Sequence, residues 1–230
     1  MVMTISGGKI LAIQTVKMTV NASGAAAAGA GGDVVVIVDI IDMSTTLEAA
    51  LDEGALAVFG AAPDKATPPV AVNPVRIGQI AGKLAVEKGA GVVMVGEPRV
   101  GTDEERLVSM SKTVAGLKQA GAPVEAVLPN LGAETVKLYD LRGKVIIAAT
   151  GTGGVAFDAA LTAGAPVVIT GTVARTRHKK GHAPARAAAQ RAADMARELG
   201  TGISVVAASG NSLEDILAAE FITRLIVEKL

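Results

Sequence analysis

Val34-Val35-Val36-Ile37-Val38-Asp39-Ile40-Ile41 is the most hydrophobic run in the chain, and Asp42-Met43-Ser44-Thr45-Thr46 and then an alanine-rich stretch of helical period follow it directly. A β-branched run of strand length that is apolar at every position, not at every second one, is covered on both faces. A helical pattern immediately after it makes the pair half of a β-α-β unit. Working outward, the same alternation recurs. Strands are predicted at Val34–Ile41, Ala55–Gly60, Gly91–Val95, Val124–Leu128, Lys144–Ala149, Pro166–Thr170 and Ile203–Ala207. Helices are predicted at Thr46–Glu53, Val75–Lys88, Asp103–Ala120, Ala133–Asp140, Val155–Ala163, Ala183–Leu199 and Ser212–Lys229. This order predicts a three-layer α/β/α fold around a mostly parallel sheet with right-handed crossovers. One domain is expected over residues 1–230: no linker interrupts the pattern after residue 33, and no segment resembles another closely enough to suggest an internal repeat.

Upstream of the pattern, Lys9–Val20 reads as a small N-terminal β extension, either one extended segment or two that pair as an edge hairpin. Asn21–Gly32 is almost entirely Ala and Gly. Interspersed glycines each cost about 1 kcal/mol in a helix, so a flexible loop is predicted there, either an inert connection or a mobile lid.

Half of the residues are apolar, with one Tyr, three Phe and no Trp, so the core must be built from Ala, Val, Ile and Leu. The formal net charge is zero, and no global field favours nucleic acid or an anionic membrane. Cysteine is absent, which excludes disulfides, a thiolate nucleophile and a cysteine-ligated zinc site, and suits a reducing compartment. Met1–Ile10 lacks the basic and apolar regions of a secretory signal, and the apolar runs fall well short of the ~20 residues that span a bilayer. A cytoplasmic protein without membrane or nucleic-acid partners is expected. Homo-oligomerisation is plausible on base rates.

In open α/β sheets, ligands collect where strands end and helices begin. At the first such junction, Asp39 and Asp42 could hold Mg²⁺ through carboxylate oxygens, and Ser44, Thr45 and Thr46 could receive a phosphate or simply cap the helix. At the second, Gly96-Glu97-Pro98-Arg99-Val100-Gly101, Glu97 is a candidate third metal ligand or base and Arg99 a candidate anion clamp; a plain turn with a solvated arginine is the alternative. At the third, Thr150-Gly151-Thr152-Gly153-Gly154, glycines would let the backbone approach an anion at a helix N-terminus. Gly151, Gly153 and Ala156 also fit the G-x-G-x-x-A dinucleotide fingerprint, but the acidic ribose partner is missing, and Arg175 and Arg177 stand in that region, as a 2′-phosphate would require. The fourth, Gly171–His182, carries Arg175, Arg177, His178, Lys179, Lys180 and His182; it is either a solvated basic loop or an anion grip facing the cleft. Its lack of aromatic interleaving argues against nucleic acid, and its histidines lack zinc spacing. The fifth, Gly210-Asn211-Ser212-Leu213-Glu214-Asp215, reads first as a helix cap, with Glu214 or Asp215 facing the cleft as the alternative.

Taken in order, these junctions resemble the 2-phosphosulfolactate phosphatase family. Its first motif, D-V-L-R-A-[ST]-[ST]-T, is matched by Asp39-Ile40-Ile41-Asp42-Met43-Ser44-Thr45-Thr46; its G-E-R-G loosely by Gly96-Glu97-Pro98-Arg99; its G-K-x-V-V-x-T-T-T-N-G-T by Gly143–Thr152; its S-L-E-D by Ser212–Asp215. The resemblance spans about residues 34–228. It departs at Asp42, where the family has arginine, at Gly151, where it has Asn, and in the richer basic loop Arg175–Lys180. The resemblance implies a Mg²⁺-dependent hydrolase of a small anionic phosphomonoester, of the kind used in coenzyme M biosynthesis. Catalytic and metal-binding roles would fall to Asp39, Asp42 and Glu97, and substrate binding to Ser44, Thr45, Arg99, Thr150, Gly151, Thr152, Gly153, Arg175 and Arg177. An NADP-binding oxidoreductase and a non-catalytic anion-binding homologue are the alternatives.

Overall fold

A computed structural model describes residues 11–230. Strand β1 (Val16–Val20) leads into helix α1 (Asn21–Ala30), then β2 (Val34–Val38), α2 (Met43–Asp52), β3 (Ala57–Ala61), α3 (Pro74–Lys88) and β4 (Val92–Gly96). Two short helices follow, α4 (Asp103–Ser109) and α5 (Ser111–Gln119), then β5 (Val124–Pro129) and a 3-10 turn, Gly132–Lys137. The chain closes with β6 (Val145–Ala149), α6 (Gly153–Thr162), β7 (Val167–Gly171), α7 (Ala183–Leu199), β8 (Ile203–Ala207) and α8 (Leu213–Val227).

The parallel α/β architecture is as expected, but the strands form two sheets and not one. Their orders are β1-β8-β2-β7 and β3-β6-β4-β5, with every described pairing parallel. The chain changes sheet twice: α2 carries it from β2 to β3, and α6 carries it back from β6 to β7. Both helices touch both sheets. Met43 and Leu47 of α2 and Phe157 of α6 accordingly sit in one large core with Val35 and Ile37 of β2 and Ile146 and Ile147 of β6. The opposite face of the first sheet, with Val34, Val36, Val38, Ile203 and Val205, packs on the alanine stripe of α7 and on Ile222 and Ile226 of α8. Complete burial of all five residues of β2, β4, β6 and β8 explains why those runs carry no charged side chain, and the one polar residue among them, Ser204 of β8, donates to Asp33 at 2.7 Å.

Set end to end, the two sheets follow one plan. Reading β1-β8-β2-β7 against β5-β4-β6-β3 matches every strand, and α2 then corresponds to α6, α1 to the 3-10 turn, and α7 and α8 to α3 and α5. The packing agrees: α1 lies on α6 as the 3-10 turn lies on α2, and α7 lies on α8 as α3 lies on α5. Glu48-Ala49-Ala50-Leu51 with Gly54-Ala55 recurs at one constant offset as Asp158-Ala159-Ala160-Leu161 with Gly164-Ala165. The chain therefore contains a diverged internal repeat, contrary to the expectation of none. It escapes a linear reading because one half runs through both chain ends, from β7 to β8 and from β1 to α2.

Of the two N-terminal expectations, one is decided and one corrected. Val16–Val20 is a single edge strand parallel to β8 and not a hairpin; residues 9 and 10 of the predicted extension lie outside the described residues. Asn21–Gly32 is mostly helix and not a loop. Gly29 packs so tightly on α6 that a Cβ there would lie 2.3 Å from the Ala160 carbonyl oxygen. Tertiary contact of this kind overrides a modest propensity cost. No helix among the described residues is long and apolar enough to cross a membrane.

Candidate functional site

The C-terminal ends of β2, β4 and β6 meet at one rim, and Asp39 is its centre. Its Oδ2 accepts hydrogen bonds from the Gly153 amide (2.6 Å) and the Thr152 hydroxyl (2.8 Å), and its Oδ1 accepts from the Asp42 amide (3.1 Å). Asp39 thus bridges the turn after β2 and the turn after β6, 114 positions apart in sequence. A carboxylate is suited to this place because the N-terminus of α6 presents unpaired amides and the positive end of the helix dipole. Gly153 is required opposite it: a Cβ there would fall 2.3 Å from Asp39 Oδ2.

Asp42 extends the network outward. Its Oδ1 accepts from the Arg99 guanidinium at 2.5 Å, and Arg99 also reaches Glu97 Oε1 at 3.5 Å. On the other side of Asp39, Asp215 Oδ1 accepts from the Ile40 amide at 2.8 Å. Burial pushes the Asp215 carboxyl up to about 6, with the charge of Asp39 adding to the effect. Burial likewise raises Asp39 above the ordinary carboxylate range, partly offset by the hydrogen bonds from Thr152, Asp42 and Gly153. Asp215 did not emerge as more than a helix-cap position or a cleft-facing alternative from sequence. Ser212 does accept from its amide, and nothing in the local pattern shows that its carboxylate reaches back to β2.

Several predicted ligand-binding groups are engaged inside the protein. Ser44 Oγ donates to the Ile37 carbonyl and accepts from the Asp39 amide, and Thr45 Oγ1 donates to the Ile40 carbonyl and lies 2.9 Å from Thr172 Oγ1. Thr150 Oγ1 accepts from the Gly154 amide. All three side chains are buried, so they brace the turns and do not cradle a phosphate. Gly151, by contrast, is exposed at the rim. The dinucleotide reading fails on the same geometry: the amide of Gly153, where a pyrophosphate would sit, already holds Asp39.

The basic loop turns away from the rim. Arg177 and His178 face Glu53, while Lys179 pairs with Asp52, which also accepts from Thr176 Oγ1 and the His178 amide. Asp52 and Glu53 end α2, whose ten residues rise roughly 15 Å from its start beside Asp39. Arg175 lies nearest Glu134, at 3.8 Å. Arg177 is therefore held by acids at the far end of α2 and not at the Asp39 cluster, while Arg175 lies beside Glu134 of the 3-10 turn.

Asp39, Asp42 and Glu97 fit poorly as a ready magnesium site. Both oxygens of Asp39 accept hydrogen bonds, Asp42 is paired with Arg99, and among the described residues no three His, Asp or Glu side chains cluster as a metal would require. Hard divalent cations want several free oxygen ligands together. Comparison with protein-family models and with curated proteins returned no match.

Proposed function

We propose that the chain hydrolyses a small anionic phosphomonoester at this rim. What supports the reading is the unbroken polar chain from Arg99 through Asp42 and Asp39 to Thr152 and Gly153, which joins a basic, an acidic and a glycine-rich turn at the C-terminal ends of parallel strands. The Arg99–Asp42 pair is its exposed end, with side chains 44% and 33% accessible. Exposed ion pairs contribute only about 0–1 kcal/mol, so a phosphate dianion can displace Asp42 from the guanidinium. Asp42, released, is then the carboxylate placed to orient and deprotonate a water. The water oxygen bonds to phosphorus as its proton passes to Asp42, the ester P–O bond breaks, and the alcohol leaves with the proton that Asp42 gives back, while Arg99 balances the charge on the transferred group. Asp39 acts through position: it holds the two turns in register.

The family resemblance implies Mg²⁺, but the donor set, with both Asp39 oxygens accepting hydrogen bonds and Asp42 paired with Arg99, does not fit one. The test is phosphate release from a panel of small phosphomonoesters, in Mg²⁺ and in EDTA. Turnover of at least one ester is expected, with a loss of roughly 100-fold in Arg99→Ala. No release from any ester under either condition removes the hydrolase reading. Saturation of the Asp39 oxygens by protein donors favours one alternative, an anion-binding protein without turnover. Thermal stabilisation by phosphate with no hydrolysis would establish it.

A further inference from the structure

In the turn that presents Arg99, each carbonyl from Gly96 to Arg99 is held by a donor outside the turn. The Gly96 carbonyl accepts from the Asn130 amide at 3.1 Å, and the Glu97 carbonyl from the Ser109 hydroxyl at 3.2 Å. The Pro98 and Arg99 carbonyls accept from a single side chain, that of Arg106, through Nε at 2.9 Å and Nη2 at 3.1 Å. At the root of the turn, a Cβ on Gly96 would lie 2.8 Å from Met110 Sδ, so the backbone is also wedged against the end of α4. Past Arg99 the restraint stops: Val100 is 92% exposed.

Arg106 reaches this place because of how α4 begins. Thr102 and Glu105 form a capping box: the Thr102 hydroxyl accepts from the Glu105 amide, and the Glu105 carboxylate accepts from the Thr102 amide. The box fixes the entry of the chain into the helix, and long helical side chains lean toward the N-terminus, which carries Arg106 back under the turn. There it is 4% exposed. A buried guanidinium is tolerated when its donors are engaged, and Nη1 donates to Asp103 at 2.9 Å. The planar fork serves two carbonyls and a carboxylate at once, which a lysine ammonium, a point charge, does not. Both carbonyls belong to the segment that sets where the Arg99 side chain starts.

We infer that Arg106 is a positioning residue for Arg99. The inference rests on the proposed function, in which Arg99 passes from Asp42 to a phosphate. Arg106 keeps the backbone still during that exchange, so that only the Arg99 side chain changes partner. It touches neither the phosphate nor the attacking water. A clamp held in this way binds an anion without reordering its loop, and a misplacement of about 1 Å at such a group can cost on the order of 100-fold.

The test uses the ¹⁵N-labelled full chain with inorganic phosphate as the probe and has two readouts. One is phosphate affinity, from amide chemical shifts. The other is the Nε–H resonance of Arg99, identified by its loss in Arg99→Ala. Arg106→Lys keeps the charge and loses the fork. Phosphate affinity should fall about tenfold in it. The Arg99 Nε–H should exchange faster with water as its contacts with Glu97 and Asp42 loosen. Ser109→Ala, which frees only the Glu97 carbonyl, should move both readouts the same way by smaller amounts, and it carries the test if Arg106→Lys does not fold. Arg224→Lys, at an exposed arginine paired with Glu220, should move neither. A lowered unfolding temperature with both readouts unchanged makes Arg106 a structural residue only and overturns the inference. Absence of saturable phosphate binding by the parent overturns it too. The hydrolase fails separately. Both readouts moving as expected, with no phosphate released from any ester, removes the hydrolase and keeps the positioning role. Ester turnover with kcat/KM unchanged in Arg106→Lys removes the positioning role and keeps the hydrolase.

Discussion

Asp39 carries a sequence signal that points two ways. A carboxylate at the end of an apolar strand invites a catalytic reading, and its arrangement here is that of a strut: 2% exposed, with donors on both oxygens. Replacing it with alanine would leave the Gly153 amide and the Thr152 hydroxyl without their acceptor, and unsatisfied buried donors cost about 1–3 kcal/mol each. Asp39→Ala is therefore expected to lose roughly 2–4 kcal/mol in urea denaturation. A variant as stable as the parent would show that the bridge holds nothing. Asp215 makes a prediction in pH. Burial pushes its carboxyl up to about 6 in the folded protein, from an ordinary aspartate value of 3.8. Between those values the native state keeps a proton that the unfolded chain has released, so folding stability falls as pH rises from about 4 to about 6. The upper bound is about 3 kcal/mol, at 1.36 kcal/mol per unit. Asp39 and Asp158 shift in the same direction. Unfolding free energies measured from pH 4 to 7 should decline less steeply in Asp215→Asn than in the parent; parallel curves would reject this assignment.

At the scale of elements, the strands and most helices were legible because burial on both faces writes itself as continuous apolar runs, and amphipathic helices as a 3.6-residue period. Ala183–Leu199 and Ile203–Ala207 fall where they were predicted. Helix α1 was not legible, because Gly29 serves a contact whose partner, α6, lies far along the chain, and Gly24 one with Thr19 of β1. The same device joins α3 to α5. A Cβ on Gly78 would lie 2.1 Å from the Thr113 carbonyl oxygen, and one on Gly116 would lie 2.0 Å from that of Val75. Two backbones approach closely there, and neither atom in the way is the end of a flexible side chain. Gly116→Ala is thus expected to destabilise by about 1–3 kcal/mol although alanine is the better helix former, because overpacking outweighs propensity. Thermal unfolding of Gly116→Ala beside Gly121→Ala separates the causes. Gly121 has a positive φ of 75° and no neighbour within 4 Å, so only backbone strain acts there. The site is legible to the same partial degree: Asp39, Arg99 and Gly153 were chosen because junctions carry chemistry, and they do converge. Which hydroxyls would be turned inward, and that acids at the end of α2 would hold the basic loop, depended on packing that no local pattern records.

For the whole molecule, the shared plan of the two sheets implies that chain order is not what specifies the fold. The first sheet is assembled from both ends of the chain, β1 and β2 from one and β7 and β8 from the other. Leu11, the first described residue, and the end of α8 meet at Arg197: the Leu11 amide donates to the Arg197 carbonyl, and the Arg197 guanidinium donates to the Lys229 carbonyl at 2.6 Å. Joining Leu230 to Met1 and opening the turn at Gly164, between α6 and β7, would make each half contiguous, with β7, β8, β1 and β2 followed by β3 to β6. All the strand pairings described are kept, and the approach of Leu11 and Lys229 to the same residue leaves a short span for the new connection. The permuted chain is expected to give the parent's circular dichroism spectrum and a cooperative thermal transition about 2–8 °C below it, a loss of about 1–2 kcal/mol for a chain of this size. Its first sheet should also form more readily, because the pairing of β1 with β8 no longer closes a loop spanning most of the chain. Refolding in stopped-flow faster than the parent's would show that long-range closure limits assembly. A permuted chain that fails to fold would mean that the break at Gly164 removes something the α6–β7 connection supplies, and that the halves are not equivalent.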